Sequence, residues 1–132
     1  MNTDSLGKDA ALYPEADLTE RILGAAFKVH NTLGAGFLEK VYENALVHQL
    51  RKETVRVEQQ KPIRIRFDEV VVGDYQADVV VDGRVLVECK ATNSFDSVHE
   101  AQLLNYLRAT EIRVGLLLNF GRPKLQYRRL VL

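Results

Sequence analysis

The sequence predicts an α/β fold, a mixed central β-sheet flanked by α-helices. Three observations carry that prediction. Apolar residues recur at helical spacing over the first part of the chain. A meander of β-branched, strand-like segments follows. A further helical stretch then leads into a continuous apolar strand.

The elements follow in order. Residues 1–16 are polar and mixed, hold Gly7 and Pro14, and read as a flexible N-terminal arm; 17–132 read as one domain. Asp17 or Thr19 is placed to cap a first helix carrying Leu18, Ile22, Ala25, Ala26, Val29 and Leu33. Gly34-Ala35-Gly36 breaks it. A second helix is expected over Leu38–Lys52, with Leu38, Val41, Ala45 and Leu46 for packing. Strands are expected at Val55–Gln59, Ile63–Phe67, Val70–Tyr75, Ala77–Val81 and Val85–Ala91. Ser97 and Glu100 have the spacing of a capping box that opens a helix to about Ala109. Ile112–Asn119 reads as a strand buried on both faces. Gly121-Arg122-Pro123 turns the chain into a last strand, Leu125–Leu130.

Composition narrows the function classes. The chain has 132 residues, enough for one real core. Eighteen basic residues balance eighteen acidic ones, so no global basic field advertises a protein that coats DNA. That balance leaves open an enzyme that grips a few phosphates. One cysteine excludes an internal disulfide and a cysteine-rich zinc site. No apolar run approaches membrane-spanning length, and the N-terminus lacks a basic start followed by an apolar core. A cytoplasmic location is the expectation.

The chemistry concentrates in Asp78 and Glu88-Cys89-Lys90. These ionisable residues sit in apolar strands, where they are costly unless they pair or bind a metal. Glu88 and Lys90 share one face of their strand and Cys89 points to the other. Two carboxylates beside an ammonium suit a hard cation such as Mg²⁺, with a group that activates water or steadies a phosphate. The competing reading is a buried structural salt bridge between strands.

Several blocks carry a resemblance. The run Gly36-Phe37-Leu38-Glu39-Lys40-Val41-Tyr42 resembles the signature of the GxxExxY family. Asp78, Glu88-Cys89-Lys90, Gln102-Leu103-Leu104-Asn105-Tyr106 and Gly115–Gly121 resemble that family's other blocks, in its order. The family is similar to the PD-(D/E)-x-K nuclease superfamily, and the Gln-x-x-x-Tyr block is similar to that of RecB-like exonucleases. Two positions depart from the pattern: Ala77 stands where the superfamily often has Pro, and Ala35 where many relatives have it.

The resemblance implies a restriction-endonuclease-like core with the order α-β-β-β-α-β. It implies a metal-dependent phosphodiesterase using Mg²⁺ or Mn²⁺, with DNA as substrate. Asp78 and Glu88 would be the principal metal ligands, joined by the backbone carbonyl of Cys89 and by Glu39 from the second helix. Lys90 would orient water or stabilise charge on the phosphate. Gln102 and Tyr106, four apart on one helical face, would hold the phosphate or the metal's water. The structural alternatives are an acid favoured at a helix N-terminus for Glu39, and a buried polar pair for Gln102 and Tyr106. Two other functions compete: a catalytically silent nuclease-fold binding module acting through a partner, and a homodimer in which an apolar edge strand matters more than the site.

Other residues receive blander expectations. His30 reads as a hydrogen-bonded core residue, His99 as a solvent-exposed helix-start residue, and Tyr42 as a packed ring whose hydroxyl finds a partner. Gly36 permits the turn between helices. Cys89 reads as a small buried apolar residue. Arg122, Lys124, Arg128 and Arg129 form a late basic cluster, a solvated face by default.

A metal shared by Asp78 and Glu88 constrains the hairpin between them. A two-residue loop at Asp82-Gly83 would set Asp78 opposite Val87 and throw the carboxylates to opposite faces. A three-residue loop, Val81-Asp82-Gly83 with Gly83 left-handed, is therefore expected, with Val80 opposite Arg84 and Asp78 opposite Leu86.

Overall fold

The computed structural model describes residues 13–132. The arm expected over residues 1–16 falls mostly outside them. Helix α1 (Ala16–Leu33) starts just before both expected caps. Its N-cap is Glu15, left-handed and without a side-chain cap, while the Thr19 hydroxyl donates back to the Ala16 carbonyl. The expected apolar stripe is buried: Leu18, Ile22, Ala25, Ala26 and Val29.

Helix α2 (Glu39–Lys52) starts one residue after its expected beginning, but presents a different face. Leu38 is 82% exposed and Val41 is exposed; Leu46 is buried and Ala45 packs against the core as expected, joined by Tyr42, Val47 and Leu50. The Tyr42 ring stacks on Phe120 at 4.7 Å, and that contact turns the row Tyr42, Leu46, Leu50 inward.

The four segments expected between Val55 and Val81 are two long strands, β1 (Val57–Phe67) and β2 (Val70–Val81). Pro62 does not interrupt β1, because β1 is the edge of the sheet and a missing N–H there costs no ladder bond. A two-residue turn, Asp68-Glu69, with φ of 53° and 66°, closes this hairpin without a glycine. Strand β3 (Val85–Lys90) follows, then helix α3 (Ser97–Thr110). The capping box of α3 is Asp96 with His99, one residue earlier than the expected Ser97 and Glu100. Strand β4 (Val114–Asn119) is buried throughout, and β5 (Gln126–Val131) ends the sheet.

The five strands lie in the order β1-β2-β3-β4-β5. Only β3 and β4 are parallel, joined by the crossover through α3. Helices α1 and α2 cover one face, over Val79, Val81, Val85, Val87, Leu116 and Leu118. Helix α3 covers the other, with Leu103, Tyr106 and Leu107 against Ile63, Ala77, Val80, Leu86 and Leu117. Ala77 and Val80 share this second face although they are three apart, so the strand alternation of β2 slips at Asp78. Facing it on β1, Gln60 is left-handed, with φ 54°, and is skipped by the pairing between Gln59↔Val79 and Lys61↔Ala77. The sheet is irregular where the ionisable residues stand.

Candidate active site

The hairpin between β2 and β3 has the expected three-residue loop, shifted by one to Asp82-Gly83-Arg84. Val81 pairs with Val85, Val80 with Leu86 and Val79 with Val87. Asp82 and Gly83 are both left-handed, with φ of 52° and 67°. The register therefore points Asp78 at Glu88 itself, where the expectation had Leu86 opposite and Glu88 diagonal.

The ladder stops there, and side chains take over. The Cys89 N–H donates to Asp78 Oδ2 at 2.9 Å, and the Asp78 N–H donates to Glu88 Oε1 at 3.2 Å. Each carboxylate thus occupies a strand position that a backbone carbonyl would fill in a regular sheet. Because the Cys89 N–H faces β2, its carbonyl is directed to the same side. The Cys89 thiol is buried and free, as expected, and burial raises its pKa well above the ordinary value.

Two residues that the sequence reading passed over stand beside this pair. Glu43, on α2, is 3% exposed and accepts from Lys40 at 2.9 Å, Gln59 at 2.6 Å and Gln60 at 3.0 Å. The same Gln60 amide reaches Asp78 Oδ1 at 3.4 Å. Glu43 was hidden because an acid inside an amphipathic helix reads as its solvated face. The left-handed turn at Gln60 leaves no mark on composition.

Glu39, Glu43, Gln60, Asp78, Cys89 and Lys90 line one cleft of about 560 Å³. Glu39 is exposed at its rim. Lys90 is half-buried and, among the described residues, forms no ion pair with Asp78 or Glu88. The strand-to-strand salt bridge considered above is therefore not how these charges are arranged. Gln102 and Tyr106 line a separate groove of about 930 Å³ between α3 and the β1–β2 hairpin. Gln102 Nε2 donates to the Tyr106 hydroxyl at 2.8 Å, and Leu103 and Leu107 pack on the sheet as expected.

The electrostatics follow from burial without neutralisation. Burial, then the charge of Asp78, raises the Glu88 carboxyl to about 8. Burial, opposed by the Cys89 N–H, raises that of Asp78. Burial, then the Glu88 charge, raises the Tyr106 hydroxyl. Two acids held this way form an all-oxygen donor set fitting a hard divalent cation. Among the described residues, however, no three His, Cys, Asp or Glu side chains converge closely enough to hold a metal ion.

The surrounding residues behave structurally. The Tyr42 hydroxyl donates to the Gly34 carbonyl at 2.6 Å and accepts from the Phe37 N–H at 3.1 Å, fixing the loop before Glu39. Gly36 has φ 117° in that loop. His30 is buried and bonded to the Arg122 carbonyl. His99 closes the α3 capping box. The late basic cluster is partly tied down: Arg122 bonds the Asn93 carbonyl, Arg128 pairs with Glu100, and Arg129 bonds the Pro14 carbonyl. Asn119, buried completely, bonds Thr92, Gly121 and Gln126 and fastens the loop after β3.

This fold, with two acids and a lysine where a central hairpin opens, defines a nuclease-like α/β class. A family model described as the PD-(D/E)XK nuclease superfamily matches residues 16–130, and the chain belongs to that superfamily. The mixed sheet of five strands with its three helices is accordingly restriction-endonuclease-like. Among solved structures, the crystal structure of SSO0001 superposes with a TM-score of 0.52 at 16% identity, over 70% of this chain and 50% of that one. The chain thus spans about half the length of that protein, and the likeness concerns the fold alone. No curated protein matches the sequence. Among the described residues no helix is long and apolar enough to cross a membrane.

Proposed function

We propose that this chain is a divalent-metal-dependent phosphodiesterase that cleaves DNA, and that it belongs to the GxxExxY group within its superfamily. The observation that carries the reading is the Asp78–Glu88 pair: a half-buried acid lining the cleft and a buried acid bonded to its N–H, with Lys90 alongside and unpaired among the described residues. Asp78, Glu88 and the Cys89 carbonyl would hold Mg²⁺ or Mn²⁺, with Glu39 closing from the rim. A bound cation supplies Lewis-acid polarisation of the phosphate and a more acidic water.

The chain's own residues do the rest. The Cys89 N–H and the Gln60 amide orient Asp78, and the Asp78 N–H orients Glu88. Lys90 stabilises charge developing on the phosphate, a role that its having no ion-pair partner among the described residues supports. Gln102 and Tyr106, in their separate groove, would contact the substrate backbone away from the scissile phosphate. The free, buried Cys89 is consistent with a cytoplasmic setting.

Calorimetry with Mg²⁺ and Mn²⁺, alongside cleavage of labelled DNA, tests the reading. Wild type binds the ion and cuts; Asp78→Ala loses both. Lys90→Ala retains binding and loses at least tenfold in rate, since it acts in the transition state. Ion binding absent from wild type overturns the proposal. One observation favours a second reading, a binding module that has kept the fold without the chemistry: no three donor side chains converge among the described residues. That module binds DNA without cutting it in either metal.

A further inference from the structure

The β1–β2 hairpin outruns the sheet. Its strands have 11 and 12 residues, whereas β3 has 6 and pairs with β2 only from Val79 to Val81. The distal half of the hairpin stands clear, and the groove of about 930 Å³ runs between it and α3. Arg64 and Arg66 from β1 and Arg108 from α3 line it, and no acid does. All three are exposed and, among the described residues, none is in an ion pair. In a chain whose formal charge is balanced, that is a local excess of positive charge, offset at Arg64 by Asp74 opposite it on β2.

The groove also holds aromatic rings. Tyr75 is 49% exposed and lies 5.7 Å from the Tyr106 ring. Toward the hairpin tip, Val72 is 60% and Phe67 74% exposed, continuing the apolar surface. Guanidinium groups around exposed rings match a chain of phosphates carrying unstacked bases. They match a duplex poorly, because its base faces are hidden.

We infer that the groove between the β1–β2 hairpin and α3 is a track for single-stranded nucleic acid, with Arg64, Arg66 and Arg108 on phosphates and Tyr75 stacking a base. The inference rests on the phosphodiesterase reading and names the strand form that this site receives. A second copy of the chain is the other occupant that an apolar hairpin face could take.

Fluorescence anisotropy tests it in EDTA, where binding is separated from cleavage, with labelled oligo-dT of about 16 nucleotides and a matched duplex. Wild type binds the single strand more tightly than the duplex at equal salt. The variant carrying Arg64→Gln, Arg66→Gln and Arg108→Gln loses at least tenfold in affinity. Its slope of log affinity against log salt flattens by about 2, as three lost phosphate contacts require. Tyr75→Ala loses about tenfold with an unchanged slope. Thermal melts and size-exclusion profiles accompany each variant. Equal or tighter duplex binding, unchanged affinity in folded variants, or a change of oligomeric state in place of binding each overturns the track. Absence of oligo-dT binding overturns it too, while cleavage of duplex DNA in Mn²⁺ would leave the phosphodiesterase reading standing.

Discussion

Asp78 and Glu88 tie β2 to β3 by their side chains where the backbone ladder ends. The carboxylate of Glu88 accepts the N–H of Asp78, and the carboxylate of Asp78 accepts the N–H of Cys89, the residue after Glu88. Both acids thereby substitute for ladder carbonyls, and Asp78 also lines the cleft beside β3. The arrangement costs stability when both carboxyls are charged, and this cost is measurable.

Stability without metal should fall as pH rises. The folded Glu88 carboxyl titrates near 8, against an ordinary value of 4.5. Between those values the folded protein keeps a proton that the unfolded chain has released. Unfolding therefore becomes easier across that window, by up to about 5 kcal/mol at its top, an upper bound. Below 4.5 the effect is absent. Urea midpoints in EDTA should decline from about pH 5 to about pH 9. Glu88→Gln, which keeps an acceptor for the Asp78 N–H, should flatten the decline and melt higher than wild type at the alkaline end. A flat wild-type profile would mean that Glu88 is ionised throughout.

Metal affinity should run the other way. A cation held by both acids must displace the proton on Glu88, so binding tightens about tenfold for each step of one pH unit below 8 and levels off above it. Calorimetry in two buffers of different ionisation enthalpy reads the released proton directly. Binding that ignores pH across this range would put the ion somewhere other than between these acids.

Tyr42→Phe should destabilise the chain and disturb the approach of Glu39. The hydroxyl bridges the Gly34 carbonyl and the Phe37 N–H, and the ring is fully buried on Phe120. Phenylalanine keeps the stack and leaves both backbone groups without that partner, a loss of about 1–2 kcal/mol. Melting should register it directly. Metal affinity should weaken only slightly, because Glu39 stands at the cleft's rim and Asp78 and Glu88 are untouched. An unchanged melting temperature would mean that water replaces the hydroxyl at no cost.

The helices, the sheet and the acid–acid–lysine set were legible in the sequence because they depend on periodicity and on ionisable residues in apolar surroundings. The loop length between Asp78 and Glu88 was legible as well, since parity alone decides whether two carboxylates share a gap. What was not legible depends on three-dimensional neighbours. The buried face of α2 follows from Tyr42 meeting Phe120, 78 positions later in chain number. Glu43 is buried because Gln59, Gln60 and Lys40 happen to satisfy it. The one-residue shift of the α3 cap rests on Asp96 against Ser97, two residue types with equal preference for the position. The separation of Gln102 and Tyr106 from the Asp78 cleft arises because α3 covers the opposite face of the sheet from α2, and the β1–β2 hairpin was divided by local pattern into four segments.

Gln60 offers the sharpest test of how the site is held. Its φ of 54° is strained for any residue but glycine, and its amide joins Glu43 to Asp78. Two substitutions separate these effects. Gln60→Ala removes the amide and keeps the strain; Gln60→Gly removes both. The glycine variant should be more stable than the alanine variant by about 1 kcal/mol, the backbone contribution. Both should bind Mg²⁺ more weakly than wild type, by the same several-fold factor, because each frees the Asp78 carboxylate from one orienting donor. Denaturant titrations read the first difference and calorimetry the second. If the glycine variant binds the ion as wild type does, the amide is idle and Asp78 is positioned by the Cys89 N–H alone.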